Sequence, residues 1–118
     1  MRLNEVQYQD GKPIDGYGPG FFRIGGEVFE GPVLTLCVGT LAWGGLANTQ
    51  SILAHQDAID VVFVGTGAEI THLPEDFRDT LEAAGLGVEV MAAPAACRTY
   101  NVLLSEGRRI AAALIPVT

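Results

Sequence analysis

The run Val61-Val62-Phe63-Val64, closed by Gly65-Thr66-Gly67, constrains the fold more than any other feature of this chain. Four consecutive apolar side chains point to both faces of a strand, so both faces must be covered. That is the signature of a strand in a parallel sheet with layers on either side. Ile110 to Ile115 is a second run of the same kind, and its three alanines let a helix pack closely. The two runs are therefore expected as neighbours or near neighbours at the centre of one sheet.

Helical signals separate them. Pro74 to Ala84 reads as a helix, with Pro74 at its start, Glu75 and Asp76 at the positive end of the dipole, and Gly85 as the stop. Leu73, Phe77, Leu81 and Ala84 form the inner stripe, and Arg78 and Glu82 an i,i+4 pair outside. Val88 to Met91 is the next strand. Pro94 to Glu106 is a second helix ended by Gly107, with Ala96, Tyr100, Leu103 and Leu104 inward. The order β-α-β-α-β follows, and its first unit should be a right-handed crossover between parallel strands. The link Gly107-Arg108 is too short to fix the direction of the last strand.

The N-terminal half reads as a β-meander. Phe21–Ile24 and Glu27–Glu30 flank Gly25-Gly26, a two-residue hairpin signal. That register pairs Phe22 with Phe29, with Ile24 on the same face and Arg23, Val28 and Glu30 on the other. Gly31-Pro32 is a turn, and Val33 to Val38 the third strand, since proline suits a strand start. A short strand over Leu41 to Trp43, a loop, and a short helix over Thr49 to His55 complete this half. Residues 1–19 are polar and turn-rich, and are expected to lie over the surface.

Composition bounds the function. At 118 residues and 48% hydrophobic, the chain is expected to be one domain, 1–118, able to fold without staples. Cys37 and Cys97 lack CxxC or Cys/His spacing, so neither a disulfide framework nor a metal site is expected. The net charge of −7 repels phosphate backbones and anionic lipid, so no nucleic-acid partner is expected. No apolar run approaches the roughly 18–20 residues that span a bilayer, and direct membrane insertion is not expected. The start, Met1-Arg2-Leu3-Asn4-Glu5, carries no targeting pattern, and a cytoplasmic location follows as the expectation.

Chemistry in an open α/β sheet sits beyond the carboxyl ends of the strands. Gly65, Thr66 and Gly67 lie there as a candidate ligand loop. Yet there is no GxGxxG and no P-loop lysine, and any tight strand exit has this look. Cys97 is placed in the first turn of the second helix, where a helix N-terminus and Arg98 would lower its pKa. Arg98 and Asn101 could hold an anion there. The alternative is a small core cysteine and a solvated arginine. His55 and His72 are not brought to Cys97 by any spacing, and Asp15, Asp60 and Glu106 form no pair, so no catalytic residue is assigned. Trp43, beside Gly44-Gly45, is either a core aromatic or an interface residue.

Several pieces, in order, resemble a known family: Tyr17-Gly18-Pro19-Gly20-Phe21, Gly31-Pro32, Trp43, Val64-Gly65-Thr66-Gly67, Gly87-Val88-Glu89-Val90, Ala96-Cys97 with Thr99-Tyr100-Asn101, Glu106-Gly107-Arg108 and Ala112-Ala113-Leu114-Ile115-Pro116. The chain is similar from about residue 15 onward to the small domain family that includes mitochondrial NADH dehydrogenase (respiratory complex I) assembly factor 3. The resemblance implies an α/β, three-layer fold: a central mixed β-sheet, flanking helices and an N-terminal β-meander layer. It implies a last strand antiparallel to its neighbours, and no catalytic set or cofactor. With no mitochondrial leader, the chain looks like a bacterial relative.

Two functions are weighed. The first is a non-enzymatic interaction or assembly factor related to complex I biogenesis. Its partners would be protein subunits of a membrane respiratory complex, and its contacts Tyr17, Phe21 and Trp43. Any attachment to the inner membrane would run through that partner. The second is a small-molecule binding protein or enzyme using Gly65–Gly67, Arg98 and Asn101. The balance leans away from an enzyme. A deep pocket joining Thr66, Arg98 and Asn101 would favour the second; a shallow surface with exposed apolar groups, the first.

Overall fold

The computed structural model describes residues 11–118, and everything said of the structure concerns those residues. The part of the expected surface segment before Gly11 lies outside them. The chain forms two sheets. A three-stranded antiparallel sheet has the order β1 (Ile14–Gly18), β2 (Phe21–Ile24), β3 (Glu27–Glu30). A five-stranded mixed sheet contains β4 (Val33–Leu36), β5 (Gly39–Ala42), β6 (Val61–Thr66), β7 (Gly87–Met91) and β8 (Ile110–Ile115), in the order β5-β4-β8-β6-β7. The helices are α1 (Gln50–Leu53), α2 (Glu75–Ala83) and α3 (Ala93–Ser105), with a single 3-10 turn at Gln56–Ala58.

The two apolar runs are neighbours, as their patterns require. Phe63 of β6 faces Ala112 of β8 across a parallel ladder, and both are buried. Alternation then divides the core into two layers. Val62, Val64, Ala111 and Ala113 face α2, packing with Trp43, Ile52, Phe77 and Leu81. Phe63, Ile110, Ala112 and Leu114 face α3 and the small sheet, packing with Phe22, Ile24, Ala96 and Tyr100. This is the three-layer arrangement, with the meander sharing a layer with α3.

Both long helices end as their glycines dictate. Gly85 and Gly107 have φ of +91° and +77°. Behind them, Leu86 N bonds Leu81 O and Arg108 N bonds Leu103 O, both at 3.1 Å. These close Schellman motifs, which need a left-handed residue at that position. The outer pair forms too, Arg78 to Glu82 at 3.4 Å.

Three expectations are corrected. Val33–Leu36 is not the third strand of the meander but joins the large sheet, between β5 and β8. All four of its residues are buried, which a half-exposed meander strand cannot accommodate. The meander's other strand is β1, from the segment expected to lie over the surface; Ile14 is buried there against the small sheet's partners. Finally, β8 is antiparallel only to β4 and runs parallel to β6. The 13 residues of α3 carry the chain back along β7 by about 20 Å. The four residues 106–109 then suffice to start β8 in the direction of β6.

Candidate functional site

In this topology β6 lies between β7 and β8, and the helices that lead to them pack on opposite faces of the sheet. The carboxyl ends of β6 and β8 therefore flank the crevice where an open α/β sheet would take a ligand. Backbone hydrogen bonds link the segments at this end. Val117 O, just past β8, accepts from Gly20 N at 2.9 Å, and Gly20 O accepts from Gly31 N at 2.9 Å, so the β1–β2 turn is tied across this end. Ala93 N, at the start of α3, donates to Gly67 O at 2.7 Å. A donor that would meet an anion at a helix N-terminus is thereby committed to the neighbouring loop.

The candidate loop residues have internal roles. Gly65 is a packing glycine: a Cβ there would lie 2.9 Å from both Ala93 Cα and Leu114 Cδ2 and 3.1 Å from Ala96 Cβ. Thr66 is buried, and its hydroxyl donates to Glu69 O at 2.8 Å while accepting from Thr71 N at 3.0 Å. It stitches the loop after β6 from inside. Gly67 adopts φ +88°, which turns the chain out of the strand.

Arg98 and Asn101 are not brought to that loop. The Asn101 carboxamide grips β1: its Oδ1 accepts from Ile14 N and its Nδ2 donates to Ile14 O. Arg98 is exposed and lines an open depression of about 440 Å3 with Thr99, Val102 and Leu103. Cys97 stands in the second turn of α3 rather than the first, because the helix begins at Ala93. It is 5% exposed, and burial pushes its thiol up to about 11, with the Arg98 charge opposing only part of that shift. A thiol in that state is a core residue and not a nucleophile at neutral pH.

The three aromatic contact candidates separate. Trp43 is 4% exposed; its indole donates to Asn48 O at 2.8 Å, and its ring meets Phe77 in a tilted contact with centroids 6.1 Å apart. It is therefore a core residue and is removed from the contact set. Tyr17 is exposed on β1, an edge strand of the small sheet. Phe21 is half-buried, its ring lying over Gly18.

Two concavities carry no signal that sequence reading singled out. One, of about 460 Å3, opens between the small sheet and the β4–β5 turn and is lined by Lys12, Ile24, Glu27, Phe29, Cys37 and Thr40 among others. The other, of about 540 Å3, lies between the loop after Trp43 and α2. Each is assembled from segments far apart in the chain, and no local pattern marks it.

This is a small three-layer α/β fold with backbone hydrogen bonds tying the β1–β2 turn and the start of α3 to the carboxyl ends of its central strands. The chain belongs to the family described as a protein of unknown function (DUF498/DUF598), whose model matches residues 14–115. An uncharacterised protein of Rhodobacter capsulatus is 44% identical over 117 residues, spanning 99% of this chain and 94% of that one. The NADH dehydrogenase [ubiquinone] 1 alpha subcomplex assembly factor 3 of Danio rerio is 34% identical over 123 residues, spanning 98% of this chain and 71% of its own. Among solved structures, an outer membrane protein from Bartonella henselae superposes with a TM-score of 0.81 at 36% identity, covering 91% of this chain and 96% of that one.

Proposed function

We propose that this protein is a non-enzymatic assembly factor that binds protein subunits during the building of a membrane respiratory complex, with complex I the first candidate. The observation that carries the reading is the likeness to assembly factor 3, which runs along 98% of the chain and not over one segment. The surface supports it. Tyr17, Val28, Val38, Ile70 and Val102 are all exposed, so apolar contacts are available on several elements. Tyr17 and Phe21 are the contact residues we assign on the small sheet, where an aromatic beside turn residues suits a protein interface.

The working location is the cytoplasmic side of the inner membrane, reached through a protein partner. A charge of −7 disfavours anionic headgroups, and no helix among the described residues is long and apolar enough to cross a bilayer. The test is affinity capture of the tagged full chain from detergent-solubilised membranes of the source organism. Complex I subunits should co-purify, and Tyr17→Arg with Phe21→Ser should release them. Capture that never contains a respiratory subunit would overturn the reading.

A further inference from the structure

A side chain grips one edge of the small sheet and leaves the other open. Asn101 holds β1 at Ile14. β3 is the opposite edge. Along an antiparallel strand, the N–H and C=O of successive residues turn alternately to the two sides. The phase is set at both ends of β3. Glu27 pairs with Ile24 across the two-residue turn Gly25-Gly26, where such a pair is hydrogen-bonded. At the far end Gly31 N donates to Gly20 O at 2.9 Å. Glu27, Phe29 and Gly31 therefore bond toward β2, and Val28 and Glu30 turn their N–H and C=O outward. These outward groups have no partner among the described residues. Val28 is 46% exposed and Glu30 is exposed as well, so the edge is open to a partner. The side chains add a second feature. Glu27 and Phe29, on the face opposite Val28, line the concavity of about 460 Å3, with Val38, Gly39 and Thr40 also in its wall. A strand added beside β3 sets alternate side chains in line with Glu27 and Phe29, and hence at this opening. Unpaired backbone groups at strand spacing, beside a recess for alternate side chains, define an extended occupant. A helix satisfies its own backbone and offers nothing to this edge.

We infer that the outer edge of β3 is the docking site for an extended segment of a partner protein, added antiparallel as a further strand of the small sheet. The inference rests on the protein-partner reading above and gives the partner's contact segment a form. One partner residue exchanges both backbone bonds with Val28, and the residue two before it does the same with Glu30. The residue between them faces the concavity and is apolar, to meet Phe29. The residue opposite Glu30 is lysine or arginine, because Glu30 has no ion pair among the described residues. A second copy of this chain fits less well. Pairing β3 with itself through Val28 and Glu30 sets the two Glu30 carboxylates on one face at diagonal positions, about 7–8 Å apart, where like charges repel.

The probe is a capped octapeptide that alternates valine with threonine and carries a lysine at one central threonine position. The control has the same sequence with its backbone N–H groups methylated, which removes the donors and keeps the side chains. Both are titrated against the full chain and followed by its amide resonances. In the free protein the Val28 and Glu30 amides should exchange with solvent faster than that of Phe29. The peptide should slow them saturably, by about tenfold or more, and the methylated peptide should not. Val28→Pro removes an N–H that the fold itself does not use, and an edge strand tolerates proline there. It should weaken binding about tenfold or more. Val28→Thr keeps that N–H and should bind within about twofold of the unaltered protein. Ala42→Pro makes the same change on β5, an edge of the large sheet, and should leave binding unchanged. Thermal melting reports that the variants fold. If Val28→Pro does not, amide exchange in the unaltered protein decides.

No saturable binding, equal binding of both peptides, or undiminished binding by folded Val28→Pro protein would each overturn the edge assignment. So would slow exchange of the Val28 and Glu30 amides before any peptide is added, or a loss in Ala42→Pro equal to that in Val28→Pro. The same variants in the membrane capture separate the two ideas. Subunits retained by Val28→Pro protein remove the edge and leave the assembly reading standing. Subunits absent from the unaltered protein remove the assembly reading, while peptide binding still decides the edge.

Discussion

Asn101 holds Ile14 by both ends of its carboxamide, with N–H···O distances of 2.8 Å in each direction. This one side chain on α3 closes the outer edge of β1 as another strand would, which ties the small sheet to the main body across 87 residues of sequence. Asn101→Ala leaves a part-buried N–H and C=O unpaired and should cost about 1–3 kcal/mol. Asn101→Asp keeps the acceptor, loses the donor and places charge against the Ile14 carbonyl, so it should be no better. Denaturant unfolding measures both. Loss under about 0.5 kcal/mol in each would show that the grip is not structural.

Gly65→Ala separates a packing glycine from a ligand loop. The added methyl meets Ala93 Cα and Leu114 Cδ2 at 2.9 Å; the leucine tip can turn aside, but the Ala93 backbone cannot withdraw without moving α3 off the sheet. A stability loss of about 1–3 kcal/mol is expected from overpacking. An unchanged melting midpoint would mean that α3 and β6 are less tightly apposed.

Phe63→Ala empties the centre of the layer between the sheet and α3. Phe63 is 6% exposed and belongs to a core shared with Ala112 and Tyr100, so the loss should be about 3–5 kcal/mol. Equilibrium unfolding checks it, and a loss below about 1 kcal/mol contradicts the core assignment.

Alkaline pH should weaken the fold through Cys97 and Tyr100. Burial raises Cys97 from 9.0 to about 11 and Tyr100 from 10.0 to about 12. For both, the neutral form is favoured in the folded state, and above pH 9 the unfolded chain releases protons first. Their contribution is complete below pH 9 and is lost as pH rises through the folded values, over about pH 9 to 12. Cys97→Ser and Tyr100→Phe should each flatten part of that decline. At neutral pH, Cys97 should react with a thiol reagent far more slowly than Cys37, which is half-buried.

The legible parts of this fold are those whose side chains advertise their own surroundings. Val61–Val64 and Ile110–Ile115 declare burial on two faces, and Gly25-Gly26 sets the pairing of Phe22 with Phe29 found in the structure. The destination of β4 is not written in its pattern: Val33-Leu34-Thr35-Leu36 has the same apolar-apolar-polar-apolar order as Phe21-Phe22-Arg23-Ile24. A turn such as Gly31-Pro32 says that the chain reverses, not which sheet it enters. The direction of β8 depends on where α3 ends relative to β6, a three-dimensional fact. At the candidate site, a glycine needed for close packing and a glycine needed for ligand approach look alike. Asn101 shows nothing in its neighbours that points to Ile14, and Trp43 beside two glycines reads equally as rim or core. Long-range partners decide each of these.

The most direct test of the assembly role is the level of assembled complex I in a strain lacking this gene, measured by native gel and NADH-linked respiration during respiratory growth. A reduced level is expected, restored by the unaltered gene and restored less by one encoding Tyr17→Arg with Phe21→Ser. Normal assembled complex I and normal NADH-linked respiration in the deletion strain would contradict it.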